Sequence, residues 1–183
     1  MTRQNIRHND GRTTRTDYSY AGAYYAFPST ITSYYTEEGV QKTSATHKSY
    51  EFIRGNVTSE TDASGNTTRY SYDTQGRLKK TTHPQSTGQD GNYVVEDHTD
   101  YYNYIDLSGS WIETPQRTFG VYNYSTANGS EFKYSLDFYD DHGNLLLSQY
   151  WDYNRGVYVP AVYGYDSYNQ LTWHKDANGN KTT

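Results

Sequence analysis

The stretch 62–78 constrains the fold of this chain more than any other part of the sequence. It contains the pattern Asp-x-x-Gly twice, first at Asp62 and Gly65 and then at Asp73 and Gly76. An aspartate at the first position of a turn bonds back to the turn backbone, and a glycine at the fourth position accepts a positive φ. Each pattern therefore predicts a type I turn closed by a glycine bulge, which is a common connection between the strands of a β-hairpin.

The residues between the two turns alternate in chemical character. Tyr70 and Tyr72 fall on one side of the alternation, and Arg69 falls on the other. A period of two is typical of a β-strand whose two faces meet different environments. Arg77 and Leu78 begin the next strand, so the unit reads turn, strand, turn, strand.

The same unit recurs with more changes later in the chain. Asn169 stands where a fourth-position glycine is expected, and asparagine is the next-best residue at positive φ. The other repeated positions are, in chain order, Tyr139, Asp140, Gly143, Tyr163, Tyr165, Asp166, Asp176 and Gly179. The pattern places the best repeats at residues 62–82 and 129–183, and leaves residues 83–128 as a divergent or inserted segment with turns at 106–109 and 126–129.

The most regular strand that the sequence predicts covers residues 130–139. Its apolar face would carry Phe132, Tyr134, Leu136 and Phe138, and its polar face Glu131, Lys133, Ser135 and Asp137. At the other extreme, residues 1–17 are typical of a frayed start or a broken repeat. Residues 40–48 could form a short helix despite their poor apolar content, and residues 49–53 favour a strand.

The composition decides between a folded and a disordered chain. Leu, Ile, Val and Phe together make up 25 of the 183 residues, a proportion that indicates disorder when the net charge is also high. The formal net charge is only −5, however, and aromatic residues make up 17% of the chain, including 23 tyrosines; disordered chains are poor in aromatics. Because each tyrosine hydroxyl needs a partner or water, we expect thin, half-hydrated sheets rather than a dry globular centre.

Several classes of protein are disfavoured by what the sequence lacks. Without cysteine it can form neither a disulfide nor a thiolate zinc site. No apolar run approaches the ~20 residues of a membrane span, and the first residues do not resemble a secretion signal, so a signal for export would lie outside this segment. The mild acidity argues against a nucleic-acid binder, which would usually be basic.

The sequence carries no recognisable pattern of catalytic or metal-binding residues. None of the six histidines has a partner at metal-binding spacing, and His98 beside Asp97 and Asp100 is an incomplete ligand set. The Asp-x-x-Gly turns do not match a calcium-binding loop. Neither a Gly-x-Ser-x-Gly elbow nor a glycine-rich phosphate loop occurs. We therefore predict no catalytic, cofactor-binding or metal-binding residue, and a protein that is not an enzyme.

The three tryptophans, Trp111, Trp151 and Trp173, allow two interpretations. Together with the many tyrosines they could stack on sugar rings in a concave site. Alternatively, they belong to the packing layer of the sheet itself, which the phase of Trp151 and Trp173 with their apolar neighbours favours.

Residues 65–78 resemble the YD repeat of the RHS family, which includes bacterial RHS polymorphic toxins, wall-associated proteins, components of insecticidal toxin complexes and teneurins. Residues 163–171 resemble a second, degenerate copy, and residues 138–145 a third, in which Asn144 stands where arginine is usual. The resemblance implies an all-β fold, an antiparallel β-hairpin repeat array that forms an arc of a spiral β-shell. At 183 residues the chain is too short for a closed shell, so we expect a single repeat domain or a fragment, residues 1–183.

In this family the shell encloses a toxic polypeptide, and a self-cleaving aspartyl site lies at its end. No Asp-Pro-x-Gly motif is present here, so no protease residue carries over. The resemblance implies a non-catalytic shell segment of a secreted or surface-located bacterial toxin, whose partners are the rest of the shell and the enclosed polypeptide. The alternative is a secreted β-module that binds carbohydrate or a cell surface through exposed Tyr and Trp side chains. Neither function requires a cofactor.

Overall fold

The computed structural model describes residues 1–7, 13–20, 26–37, 39–89, 91–105 and 118–183, and all regular secondary structure in these ranges is β-strand. Neighbouring strands pair antiparallel, so the predicted all-β, antiparallel class is confirmed. The chain divides into two compact units, Met1–Val94 and Val95–Thr183. Within the described residues, no helix has the length and apolar character that crossing a membrane would need.

The first unit contains a sheet whose strands follow one another in chain order. These strands are β1 (Thr2–Arg7), β2 (Thr13–Ser19), β3 (Thr30–Glu37), β4 (Val40–Tyr50), β5 (Val57–Thr61), β6 (Thr67–Tyr72) and β7 (Leu78–Thr82). A separate small hairpin consists of β8 (Ser86–Gly88) and β9 (Gly91–Tyr93). Antiparallel strands that follow one another in the chain can be joined by short turns.

A covered ion pair joins the first two strands. Asp17 is 1% exposed, and its carboxylate accepts hydrogen bonds from Arg3 Nε at 3.0 Å and from Arg15 Nε at 2.9 Å. The Arg15 guanidinium also lies 4.5 Å from the centre of the Tyr34 ring. The hydrogen bond from Arg15 is the main reason why the pKa of Asp17 falls to about 2. A buried charge needs an opposite charge and hydrogen bonds. The two arginines supply both, so the buried Asp17 carboxylate stays ionised.

The second unit is likewise a sheet of strands in chain order. Its strands are β10 (Val95–Ile105), β11 (Thr118–Ala127), β12 (Ser130–Tyr139), β13 (Leu145–Asp152), β14 (Val157–Tyr165), β15 (Leu171–Lys175) and β16 (Lys181–Thr182). β10 and β11 pair in continuous antiparallel register from Val95 opposite Ala127 to Tyr102 opposite Gly120, and the register shifts before Ile105 opposite Thr118.

The apolar core of the second unit lies on one face of its sheet. Phe138, Leu147 and Val162 are 7%, 1% and 9% exposed. They lie side by side because the register places Phe138 opposite Leu147, and Leu147 opposite Val162. Leu136 and Trp173 pack against this core. The alternation of residues 130–139 therefore delivers Leu136 and Phe138 to one face, as the sequence predicts.

For the first unit, two predictions are wrong and one of the two alternatives for the start of the chain is excluded. Residues 2–7 and 13–19 are regular strands rather than a frayed start. Residues 40–48 belong to β4 rather than to a helix, because β4 pairs with β3 on one side and β5 on the other and its Val and Thr residues suit a sheet. The strand predicted over 49–53 ends at Tyr50, where Gly55, with a φ of 72°, closes a turn.

The turn predicted at 126–129 is tighter than the Asp-x-x-Gly turns. Ala127 pairs directly with Ser130, and the two residues between them have positive φ, 49° at Asn128 and 83° at Gly129. Positive φ at both central positions is the signature of a two-residue type I′ hairpin. The turn predicted at 106–109 lies outside the described residues.

Candidate functional site

Each repeated turn is organised by one carboxylate. Asp73 Oδ1 accepts the backbone N–H groups of Gln75 and Arg77, both at 2.9 Å. The Gly76 N–H donates to the Asp73 carbonyl at 3.0 Å, and Gly76 has a φ of 85°. The strand register shifts next to the turn, between Ser71 and Tyr72. This geometry is a type I turn followed by a glycine bulge.

The residue after the turn glycine, which the sequence pattern places at the start of the next strand, completes the arrangement. Arg77 Nε donates to Asp73 Oδ2 at 2.7 Å, and Asn144 Nδ2 makes the same contact with Asp140 Oδ2 at 2.9 Å. The same bond joins two further pairs, Asn66 to Asp62 at 3.0 Å and Asn180 to Asp176 at 2.9 Å. Asn144 therefore makes the contact with its turn carboxylate that Arg77 makes in its own turn. The recurrence of Asn or Arg directly after the glycine is a signal that could have identified this bond to the turn aspartate.

The hydrogen bonds that the turn carboxylates accept lower the pKa values of four of the turn aspartates. The side-chain bonds from Asn66 and Asn180 are the largest reason why the pKa values of Asp62 and Asp176 are lowered. Burial alone would raise the pKa of Asp73 and Asp140, but the bonds that their carboxylates accept outweigh it and the pKa of each is lowered. The hydrogen bonds within their turns therefore favour the ionised form of these four aspartates.

One turn brings three potential metal ligands together. Ligand atoms of Asp140, Asp141 and His142 lie within 4.8 Å of one another. The Asp140 carboxylate already accepts bonds from the His142 N–H, the Asn144 N–H and the Asn144 side chain. His142 Nδ1 lies 2.9 Å from Asp141 Oδ1 at the exposed tip of the turn. Turn formation accounts for Asp140, so we assign no ion to this group.

The tyrosine before the turn aspartate ties its strand to the preceding one. The Tyr72 hydroxyl donates to the Val57 carbonyl at 2.8 Å, and the Tyr165 hydroxyl donates to the Leu145 carbonyl at 3.1 Å. Each acceptor is the first residue of the preceding strand. Burial raises the pKa of both tyrosines. Tyr139, in the equivalent position before Asp140, instead stacks on Phe119 with ring centres 5.1 Å apart.

The other repeat positions contribute backbone conformation or surface. The turn-closing residues have positive φ, namely Gly65 (86°), Gly143 (85°), Asn169 (61°) and Gly179 (85°). Asp166 Oδ1 accepts the N–H groups of Tyr168 and Gln170, as in the other turns. Tyr163 stacks on His174, and Tyr70 is half-buried, whereas Arg69 and Leu78 are exposed.

A group of aromatic rings, which we call the tyrosine cluster, covers one end of the core face in the second unit. It consists of Tyr122, Tyr124, Tyr134, Trp151, Tyr153 and Tyr158. Tyr134 is its centre, with ring centres 5.7 Å from Trp151, 5.8 Å from Tyr158 and 6.0 Å from both Tyr122 and Tyr153. The rings meet because Tyr124 lies opposite Tyr134, and Trp151 opposite Tyr158, in the strand register.

A β-bulge brings a carboxylate to the tyrosine cluster. Lys133 lies opposite Ser125 but Glu131 lies opposite Thr126, so Phe132 is an extra residue on β12. Glu131 is thereby turned to the face that carries Tyr124 and Tyr134, and it accepts a hydrogen bond from the Tyr122 hydroxyl at 3.4 Å. The prediction that Glu131 shares the polar face with Lys133 is therefore wrong. Bulges redirect side chains in this way, and the register that creates one is set by the partner strand.

The cluster shifts the titration of its phenols. The pKa of Tyr122 is raised to about 12, first by burial and then by the charge and hydrogen bond of Glu131. The pKa of Tyr134 is also raised to about 12, first by burial and then by its hydrogen bond with Tyr158. Burial raises the pKa of Tyr124 and Tyr153 as well. These four phenols therefore stay neutral to a higher pH than a free tyrosine.

The tryptophans that the sequence suggests as sugar-stacking candidates lie in different environments. Trp151 belongs to the tyrosine cluster, stacked on Tyr134 at an interplanar angle of 18°. Trp173 packs closely on Gly164 and against the core, and Lys181 Nζ lies 4.2 Å from the centre of its ring. Trp111 lies outside the described residues. Both described tryptophans are therefore half-buried by contacts within the second unit.

The histidine considered as a metal ligand has another environment. His98 stacks on Tyr124 with ring centres 4.5 Å apart, and its Nε2 lies 3.4 Å from Glu96 Oε2. Asp97 accepts a hydrogen bond from Ser125 on the opposite face of β10. The register therefore does not bring Asp97 and His98 to one ligand set.

One of three comparisons with known proteins matches the best-preserved repeat. The family model described as RHS Repeat matches residues 54–87, which contain the two best turns. No curated protein matches the chain. A solved structure described as TcdB2-TccC3-Cdc42 is similar over 90% of this chain, at 15% identity and a TM-score of 0.40, and this chain spans 9% of the length of that one.

Proposed function

We propose that this chain, which carries an RHS repeat at residues 54–87, is a non-catalytic structural segment of the wall of a larger RHS protein. The wall encloses or presents a toxic polypeptide, and the whole protein is secreted or lies on a bacterial surface. The observation that carries this proposal is the use of the repeat side chains. Asp73, Gly76 and Arg77 build one turn, and Tyr72 anchors the neighbouring strand.

The way in which such an array is stabilised allows it to grow into a wall. Each strand is held mainly by its two neighbours, so the array can extend by adding further hairpins of the same kind. One face of the array would line an interior and the other would meet solvent. The partners of this segment are then the remaining strands of the wall and the enclosed polypeptide.

Limited proteolysis of the full-length protein tests this function. We expect the enclosed polypeptide to resist protease in the intact protein. Gly65→Val should expose it, because a β-branched residue is strained at the φ of 86° that Gly65 adopts. Ser64→Ala is a matched control in the same turn, since Ser64 contributes its backbone N–H to Asp62. Containment would be contradicted if the polypeptide were digested as fast in the intact parent protein as in the Gly65→Val variant.

A second candidate function is a secreted module that binds carbohydrate or a cell surface. It is favoured by Tyr153 and Tyr158, which are 51% and 44% exposed beside Trp151, because flat aromatic faces suit sugar rings. A glycan array with Trp151→Ala and Trp173→Ala separates the two functions. The binding module requires glycan binding that Trp151→Ala abolishes and Trp173→Ala preserves, whereas the wall segment requires no glycan binding.

A further inference from the structure

We propose that the tyrosine cluster and Glu131 form a docking site for a basic polypeptide segment. In this site an arginine or lysine side chain lies between the aromatic rings and the Glu131 carboxylate. The inference concerns what the second unit binds, and it does not depend on the proposed wall function.

The first support is the position of the Glu131 charge. The bulge turns Glu131 onto the aromatic face, where the described residues offer it one bond, from the neutral Tyr122 phenol. Among those residues, no arginine or lysine nitrogen lies within ion-pair distance of its carboxylate. The nearest lysine in sequence, Lys133, lies on the opposite face with Ser125. As far as the described residues extend, the site therefore presents an exposed negative charge without a counter-ion of its own.

The second support is the arrangement of the rings around this charge. Aromatic faces carry negative potential and attract arginine and lysine. This sheet protein already uses that contact elsewhere, with Lys181 over Trp173 at 4.2 Å and Arg15 over Tyr34 at 4.5 Å. No corresponding cation lies over Trp151 in the described part of the chain. A cation supplied by a partner would complete the same contact there.

The third support is the charge of the unit that carries the site. Residues 95–183 contain 5 Arg and Lys and 12 Asp and Glu, a formal net charge of 5 − 12 = −7. An acidic surface accelerates the encounter with basic partners and repels acidic ones. A neutral glycan would gain nothing from this charge, so the observations favour a basic polypeptide over carbohydrate.

Titration of the full chain with hepta-arginine, hepta-lysine and hepta-glutamate peptides tests the site by isothermal calorimetry. We expect both basic peptides to bind and hepta-glutamate not to bind. Glu131→Gln should weaken the affinity for hepta-arginine about tenfold, the scale of a desolvated cation–π contact with its ion pair. Glu37→Gln is the matched control, since it removes the same charge from an exposed strand position in the first unit.

A second variant removes a ring instead of the charge. Tyr158 is 44% exposed, so Tyr158→Leu should keep the fold, which circular dichroism verifies, and should also weaken hepta-arginine binding several-fold. The site is refuted if the basic peptides do not bind, or if Glu131→Gln binds them like the parent chain. It is also refuted if Glu37→Gln loses as much affinity as Glu131→Gln. Glycan binding that survives Glu131→Gln, without peptide binding, would assign the cluster to carbohydrate.

Discussion

Replacing Gly164 by alanine should destabilise the second unit, although alanine normally suits a strand better than glycine. Gly164 lies opposite Trp173 in the β14–β15 register. A Cβ atom at Gly164 would lie 2.1 Å from both Cε2 and Nε1 of the indole. To restore the 3.4 Å at which ordinary contact begins, the ring has to move by about 1.3 Å.

The expected magnitude is the balance of two effects. Displacing Trp173 loosens its packing against the apolar core of the second unit, and overpacking of this kind costs about 1–3 kcal/mol. Replacing a glycine inside a strand by alanine stabilises the folded state by roughly 0.5–1 kcal/mol. The difference between the two effects is roughly 0–2.5 kcal/mol, so we expect Gly164→Ala to lower the free energy of unfolding by about 1 kcal/mol.

Denaturant unfolding followed by circular dichroism measures this change, and a double-mutant cycle identifies its cause. In a Trp173→Ala background the clash is absent, so Gly164→Ala should be neutral or stabilising by roughly 0.5–1 kcal/mol. The reasoning is refuted if Gly164→Ala stabilises the parent chain, or if it costs the same in both backgrounds.

Three further outcomes follow from the turns, the covered ion pair and the phenols. Gly76→Val should lower the free energy of unfolding by at least ~1 kcal/mol, because Gly76 has a φ of 85°; an unchanged thermal midpoint would rule out the turn. Because the pKa of Asp17 is lowered from 3.8 to about 2, the stabilisation that its carboxylate provides is present above pH 3.8 and is lost as the pH falls through about 2. The thermal midpoint of the parent chain should therefore fall in this pH range, and the Asp17→Asn variant should lack this part of the decrease. In an ultraviolet titration, Tyr122 and Tyr134 should ionise near pH 12, so their stabilisation is lost as the pH rises from about 10 to about 12. Glu131→Gln should lower the pKa of Tyr122, and an unchanged titration curve would contradict the contact.

The local chemistry of the turns was readable from the sequence, because a turn depends on residues that are adjacent in the chain. Asp73 and Gly76 predict their turn without reference to any other strand, and the alternation of Tyr70 and Tyr72 predicts the strand before it. The family comparison matches this part of the chain. The bond from Arg77 to Asp73 was missed although it is equally local.

The arrangement around Glu131 could not be read in the same way. Strict alternation places Glu131 with Lys133, and the bulge at Phe132 reverses that assignment. A bulge depends on the register with the partner strand, which a single strand does not encode. For the same reason the contact between Gly164 and Trp173 becomes visible only once β14 and β15 are aligned.

Polar strands were the other source of error. Residues 40–48 contain little apolar alternation, because β4 is exposed along much of its length. What fixes it as a strand is its pairing with β3 and β5. Such pairing supplies backbone hydrogen bonds on both sides and needs no particular side chain.

Electron cryomicroscopy of the full-length protein tests the central claim, that this chain is part of an RHS wall, most directly. We predict that residues 62–82 and 129–183 will appear as strands of a continuous wall, with density for an enclosed polypeptide against one face of it. The claim is contradicted if these residues form a separate surface module with solvent on both faces and no polypeptide enclosed.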